Sequence, residues 1–201
     1  MNLDRRAALS RLAGLGALVS LGGLSGPAWS AALPGDSIYQ LDAALTDQDG
    51  QALTLASLRG RPLLLSMFYT SCDMVCPMIF ETIKATLLAL PKSEAERMKI
   101  LLISFDPERD TVAVLKQTAR ARGGDARWTL ARCDAGTVRK LAAVLGFQYR
   151  RLASGEFNHS SLIELLDAEG RVKARSGKLG SVDPDLLAAI RQLDRPPAPH
   201  G

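Results

Sequence analysis

The apolar run from Leu63 to Tyr69, interrupted by Ser66, leads directly into Thr70-Ser71-Cys72-Asp73-Met74-Val75-Cys76-Pro77. A run of this kind predicts a central strand buried on both faces. The following residues read as a loop entering a helix from about Met78 to Leu90, stopped by Pro91. Two thiols thus stand at a strand-to-helix mouth, four residues apart, which places them on one face if the turn is helical.

The rest of the chain supplies partners for that strand. Ser37 to Thr46 and Gln51 to Leu55 flank Asp47-Gln48-Asp49-Gly50, which predicts an N-terminal β-hairpin. Lys99 to Phe105 predicts a second buried strand, and Val112 to Arg122 a helix ended by Gly123-Gly124. A short strand near Trp128 to Ala131 precedes a helix from Gly136 to Leu145, and Phe147 to Arg151 reads as another strand. Ser160 to Leu166 and Arg171 to Ala174 predict a hairpin, and Asp183-Pro184 caps a last helix reaching about Leu193. This order fits one α/β domain with a mixed sheet flanked by helices. The thiols at the strand's end narrow it to a thioredoxin-like sheet.

Residues 1–30 read as a leader instead of part of the fold. Arg5, Arg6 and Arg11 precede an uncharged Leu/Ala/Gly stretch from Leu12 to Leu24, and Pro27-Ala28-Trp29-Ser30-Ala31 offers small residues for cleavage after Ser30. The alternative is an uncleaved anchor associating the protein with a membrane through its N-terminus. Both readings predict an exported, periplasmic domain over residues 31–195, followed by a disordered tail over 196–201. Without the leader, 22 basic side chains face 20 acidic ones, with no basic stripe, so nucleic acid is excluded as a partner.

An oxidising compartment tends to pair thiols, and the chain has three, Cys72, Cys76 and Cys133. A helix N-terminus favours thiolates, and two thiolates on a pre-formed loop either exchange disulfides or hold a soft metal. Three intervening residues depart from the two used by dedicated thioredoxin-type oxidoreductases. Of the two histidines, His200 lies in the tail and His159 is internal, at the entrance to the strand through Leu162 and Leu166. Two thiolates with one imidazole make a three-coordinate soft site suited to Cu(I). Cys133 as a fourth, zinc-type ligand is set aside in favour of a small buried thiol. Met74 is the better candidate of the two nearby methionines for an outer thioether. The Asp106-Pro107-Glu108-Arg109-Asp110 segment reads chiefly as a helix cap with Asp106 at its head.

Three segments together carry a specific resemblance. Phe68-Tyr69-Thr70-Ser71-Cys72-Asp73-Met74-Val75-Cys76-Pro77, Ile103-Ser104-Phe105-Asp106-Pro107-Glu108-Arg109-Asp110-Thr111 and Asn158-His159-Ser160 resemble the Sco/SenC family of copper proteins. The resemblance covers about Ser37 to Leu193. It implies a thioredoxin-like fold, Cu(I) or Cu(II) as the metal, and Cys72, Cys76 and His159 as its ligands. It also implies a metallochaperone that delivers copper to a respiratory copper-receiving protein, an oxidase subunit, during cytochrome c oxidase assembly, with an upstream copper chaperone as a possible donor. Asp73 stands where the family commonly has Pro, and Asn158 where Asp is commoner. The competing expectations are a thiol–disulfide oxidoreductase using Cys72 and Cys76 without His159, and a redox or copper sensor.

Overall fold

A computed structural model describes residues 32–193. The expected leader and the tail from residue 194 onward, including His200, lie outside the described residues. Ser37 caps a 3-10 turn over Ile38–Gln40, accepting the Tyr39 amide through its hydroxyl. The predicted hairpin is therefore shorter than expected, with β1 at Ala44–Asp47 and β2 at Ala52–Thr54. Its turn is closed by the Asp47 carboxylate, which accepts from the Asp49 and Gln51 amides.

The fully buried strand β3 (Leu63–Phe68) leads through the cysteine loop into helix α1 (Val75–Leu88). A short polar helix α2 (Lys92–Arg97), absent from the sequence reading, follows Pro91. Pro91 both stops α1 and opens α2, because its fixed φ suits a helix start. Then come β4 (Lys99–Ser104), α3 (Val112–Ala121), β5 (Trp128–Arg132) and α4 (Ala135–Leu145). Asp134 caps α4 by accepting the Gly136 and Thr137 amides, and Gly146, at φ +71°, ends it in the left-handed region. The chain closes with β6 (Tyr149–Arg151), β7 (Phe157–His159), β8 (Ile163–Leu166), β9 (Val172–Ser176) and α5 (Pro184–Gln192).

Seven strands form one mixed sheet in the order β2-β1-β5-β4-β3-β8-β9. β3, β4 and β5 run parallel, while β1 and β8 join antiparallel on either side. Helix α1 packs on β3, α3 on β5 and β1, and α5 on β8 and β9. The sequence expectation of a thioredoxin-like mixed sheet flanked by helices, with an N-terminal hairpin, describes this arrangement. The core is aromatic as well as aliphatic: Phe80 of α1 stacks on Trp128 at 5.7 Å and meets Phe68 edge-on at 5.7 Å. Among the described residues, no helix is long and apolar enough to cross a membrane.

One difference from the expected strands bears on the site. His159 does not open the strand through Leu166. It ends β7, which pairs with β6 in a separate two-stranded ribbon, Tyr149 opposite His159.

The sheet also buries a charge. Glu164 of β8 is fully buried; its Oε1 accepts from Arg175 Nε at 2.6 Å, and its Oε2 has no protein partner. Burial pushes this carboxyl up, Arg175 pulls it partly back, and the net shift is upward. A carboxyl raised on folding stabilises the fold below its unfolded pKa of about 4.3, and that stabilisation is lost as pH rises through the folded value. Glu164→Gln does not titrate, so its urea midpoint should gain on that of the wild type between about pH 4 and about pH 7. A difference constant across that window would show that Glu164 keeps its ordinary pKa.

Candidate metal centre

The thiol loop is placed by β3 and fixed at its base by Asp110. Beyond the last β3 residue, the Thr70 amide donates to the Asp110 carboxylate at 3.1 Å, and the Thr70 hydroxyl donates to it as well. Asp110 is fully buried and also accepts from the Ser104 hydroxyl at 2.5 Å, at the end of β4. Asp106 is not the cap of the next helix. Thr111 holds that position, accepting the Val114 amide. The acidic segment instead turns inward, with Asp106 and Asp110 both buried.

Helix α1 starts at Val75, earlier than the sequence suggests, so Cys76 and Pro77 belong to its first turn. Its N-cap, Met74, offers no side-chain hydrogen bond, and no acid sits in the first turn. The Cys72 sulfur takes that place, accepting the Cys76 amide at 3.4 Å. Burial pushes the Cys72 thiol up, but amide donors of Cys76, Val75 and Met74, with the Cys76 thiol, outweigh it and leave it below its ordinary value. Cys76 is deeper: burial, together with the neighbouring Cys72 and Asp110 charges, pushes its thiol far up despite a backbone donor. The pair is therefore unequal, with the thiolate favoured on Cys72.

His159 reaches these thiols from the β6–β7 ribbon. Its Nδ1 lies 3.0 Å from the Ser160 carbonyl oxygen. A carbonyl only accepts, so Nδ1 carries the proton and the Nε2 lone pair is left for a metal. The ring is held against Phe105, centroids 5.1 Å apart, and edge-on to Tyr69 at 5.7 Å. One ligand atom from each of Cys72, Cys76 and His159 lies within 4.8 Å of the others. Among the described residues this is the one such grouping of three or more His, Cys, Asp or Glu ligand atoms.

Cys133 does not join it. Because β5 runs parallel to β3, Cys133 lies at the same carboxyl ends of the parallel strands as the site, two strands away. It is buried, and burial pushes its thiol up to about 12. Met74 is 78% exposed beside the thiols, and Met78 is 41% exposed on the next turn of α1. The sequence reading named Arg109 and Tyr69 only as parts of longer segments and missed Glu156; in the structure all three connect the ribbon to the body of the domain. Their contacts span about 40 to 90 residues, and no local pattern signals them.

The SCO1/SenC family model matches residues 34–193. The chain belongs to the SCO1/SenC family. It is similar to the SCO1 protein homolog of Bacillus subtilis, 37% identical over 76 residues, 36% of this chain and 37% of that protein. A SCO2-like protein of Rickettsia prowazekii is 33% identical over 116 residues, 54% of this chain and 55% of the relative. The chain thus spans between about a third and just over half of these relatives' lengths. Bradyrhizobium japonicum ScoI, solved with copper bound, is 29% identical and superposes with a TM-score of 0.64 over 75% of this chain and 96% of its own. The fold is the thioredoxin-like fold of these Sco proteins.

The unequal thiols make a prediction for the metal-free, reduced protein. Iodoacetamide at neutral pH should label Cys72 first, while Cys76 and Cys133 react at comparable rates only in denaturant, as read by peptide mass spectrometry. The Cys72 rate should rise with pH and level off below the ordinary thiol pKa of about 8.5. Labelling of Cys76 or Cys133 ahead of Cys72 would reverse the assignment.

Proposed function

We propose that this protein is a periplasmic copper carrier, holding one Cu(I) or Cu(II) between Cys72, Cys76 and His159. It passes the ion to a respiratory copper-receiving protein, an oxidase subunit, during cytochrome c oxidase assembly. The observation that carries this reading is the convergence of two thiols and one imidazole within 4.8 Å, although His159 lies more than eighty residues from the cysteines. Two thiolates and an imidazole form a soft donor set that suits copper. Family membership and the copper-bound ScoI of Bradyrhizobium japonicum support the same choice of metal.

Copper is cargo here, so the site has to release it as well as bind it. The positive end of α1 stabilises the Cys72 thiolate that meets the ion, and Cys76 supplies a second sulfur from within the helix turn. The Ser160 carbonyl holds the His159 ring in the tautomer with Nε2 free. Transfer proceeds by ligand exchange, in which an incoming donor replaces these ligands in turn. Export by the leader at residues 1–30 sets the compartment, and cell fractionation with N-terminal sequencing of the mature protein tests it.

One observation favours a second reading, thiol–disulfide exchange. A lowered thiol on Cys72 beside a raised thiol on Cys76 is the pairing that such exchange uses. The Cys72 thiolate attacks a client disulfide and releases one client thiolate. Cys76 then displaces the other, leaving a reduced client and a Cys72–Cys76 disulfide.

Anaerobic copper titration of reduced protein lacking residues 1–30 separates the two. The carrier reading expects one copper per chain. Cys72→Ser, Cys76→Ser and His159→Ala should each weaken binding by more than the roughly 10–100-fold typical of losing an outer-shell partner. Unchanged affinity in His159→Ala, together with reduction of a disulfide substrate, would hand the function to the oxidoreductase reading.

A further inference from the structure

The ligands reach the centre by two routes. Cys72 and Cys76 follow β3 along the chain, whereas His159 arrives on a ribbon whose strands pair with each other and not with the main sheet. The placement of that ribbon decides whether the third ligand meets the thiols. Its inner face is held by rings: Tyr149 stacks on Phe105 at 5.3 Å, and Phe157 meets Tyr69 and Phe105 at 5.1 and 5.2 Å. The hydrophobic part of this packing is non-directional. Directional contacts fix its tip.

Arg109 makes several of these contacts at once. Its Nε donates to Asp106, which is itself buried, and its NH2 group donates to the Gly155 carbonyl at 2.9 Å, in the turn of the ribbon. The guanidinium also lies over the rings of Tyr69 and Phe157, at 5.8 and 5.7 Å from their centroids. Tyr69 is the ring that meets His159 edge-on, and Phe157 stands two residues before His159 on the same strand. A single side chain therefore joins the buried Asp106 carboxylate, a ring against the histidine, the β6–β7 turn and the first residue of β7. Further polar ties among the described residues include a Tyr69 hydroxyl bond to Glu156 at 2.6 Å, a backbone hydrogen bond from Phe157 to Tyr69, and an exposed Arg151–Glu108 ion pair at 2.9 Å. An exposed pair of that kind contributes little.

We infer that Arg109 is a positioning residue for His159: it docks the β6–β7 ribbon so that the imidazole meets the two thiols. The consequence for metal holding rests on the copper reading, whereas the docking itself does not.

The test uses Arg109→Gln, alone and combined with His159→Ala, and reads two signals. In metal-free protein, the His159 ring protons lie beside the Tyr69 and Phe105 rings and carry ring-current shifts. Arg109→Gln should move these NMR resonances toward the values of a solvated histidine. With copper, Arg109→Gln should weaken binding by about tenfold or more and diminish the imidazole nitrogen modulation in pulsed EPR of the Cu(II) form. Added to His159→Ala it should cost nothing further, because a residue that acts through the histidine has no effect once the histidine is gone. Equal losses in both backgrounds, or unmoved His159 resonances, would overturn the inference. Moved resonances in a protein that binds no copper would leave the docking intact and remove the carrier function. Should Arg109→Gln fail to fold, Arg109→Lys carries the same comparison. It keeps the charge over the rings but lacks the fork that reaches Asp106 and Gly155 together.

Discussion

Asp110 lies fully buried where β3 and β4 end, and its carboxylate gathers the Thr70 amide, the Thr70 hydroxyl and the Ser104 hydroxyl. Burial pushes this carboxyl up and the donors from Ser104 and Thr70 pull it back, with a net upward shift. The β3–β4 ladder closes with the Phe105 amide on the Phe68 carbonyl at 2.9 Å. Past that bond the two chains diverge, one toward the cysteines and one toward the Asp106 turn. The buried carboxyl continues the cross-strand tie for one further step, in side-chain form. Because of it, Tyr69 and Phe105 stand side by side, 5.2 Å between centroids, and form the surface on which the His159 ribbon docks. Removing the acceptor would leave its donors unsatisfied in the interior, the expensive way to lose a hydrogen bond.

The cysteine loop shows a second dependence, between helix and sulfur. Among the described residues, α3, α4 and α5 are capped by oxygen: Thr111, Asp134 and Asp183 each accept an amide through a side chain. Helix α1 has no such cap and no acid in its first turn, and the Cys72 sulfur receives the Cys76 amide instead. The unmet positive end of α1 therefore favours negative charge on Cys72, whether as a thiolate or as a thiolate shared with a metal. Any chemistry that neutralises this sulfur also weakens the cap, because a neutral sulfur is a poorer acceptor than a thiolate. Thiol state and the start of α1 are thus coupled by construction.

What the sequence showed and what it hid divide along contact range. The apolar runs of β3 and β4 and the helical stretch from Gly136 to Leu145 are local signals, and each produced an element close to its expected place. Helix α2 was hidden because it is short and polar and follows a proline that reads as a stop. Asp106 looked like a cap because Asp-Pro commonly opens a helix, yet Thr111, five residues on, took the amide while Asp106 received Arg109. His159 was placed on the wrong strand, since apolar residues from Leu162 onward seemed continuous with it. The ribbon that carries it is held by rings and by Arg109, contacts that no periodicity encodes. Proximity of His159 to the thiols came only from the family resemblance, and in the structure it depends on docking a separate two-stranded unit.

The two departures from the family's common pattern lie on the loop and on the ribbon that carry the donor atoms. Asp73 and Asn158 are both exposed, so neither side chain enters the ligand cluster, and the donor set of two sulfurs and one nitrogen is untouched. Their effect falls on the units that carry the donors. A proline between the cysteines would fix φ and restrict the loop before the metal arrives, whereas Asp73 leaves that freedom in place and adds a negative charge beside the thiols. Asn158 removes a charge from the strand next to His159 and keeps a polar, hydrogen-bonding tip. The two departures thus alter the loop and the ribbon that carry the donor atoms, and leave Cys72, Cys76 and His159 themselves, and their grouping within 4.8 Å, as they are.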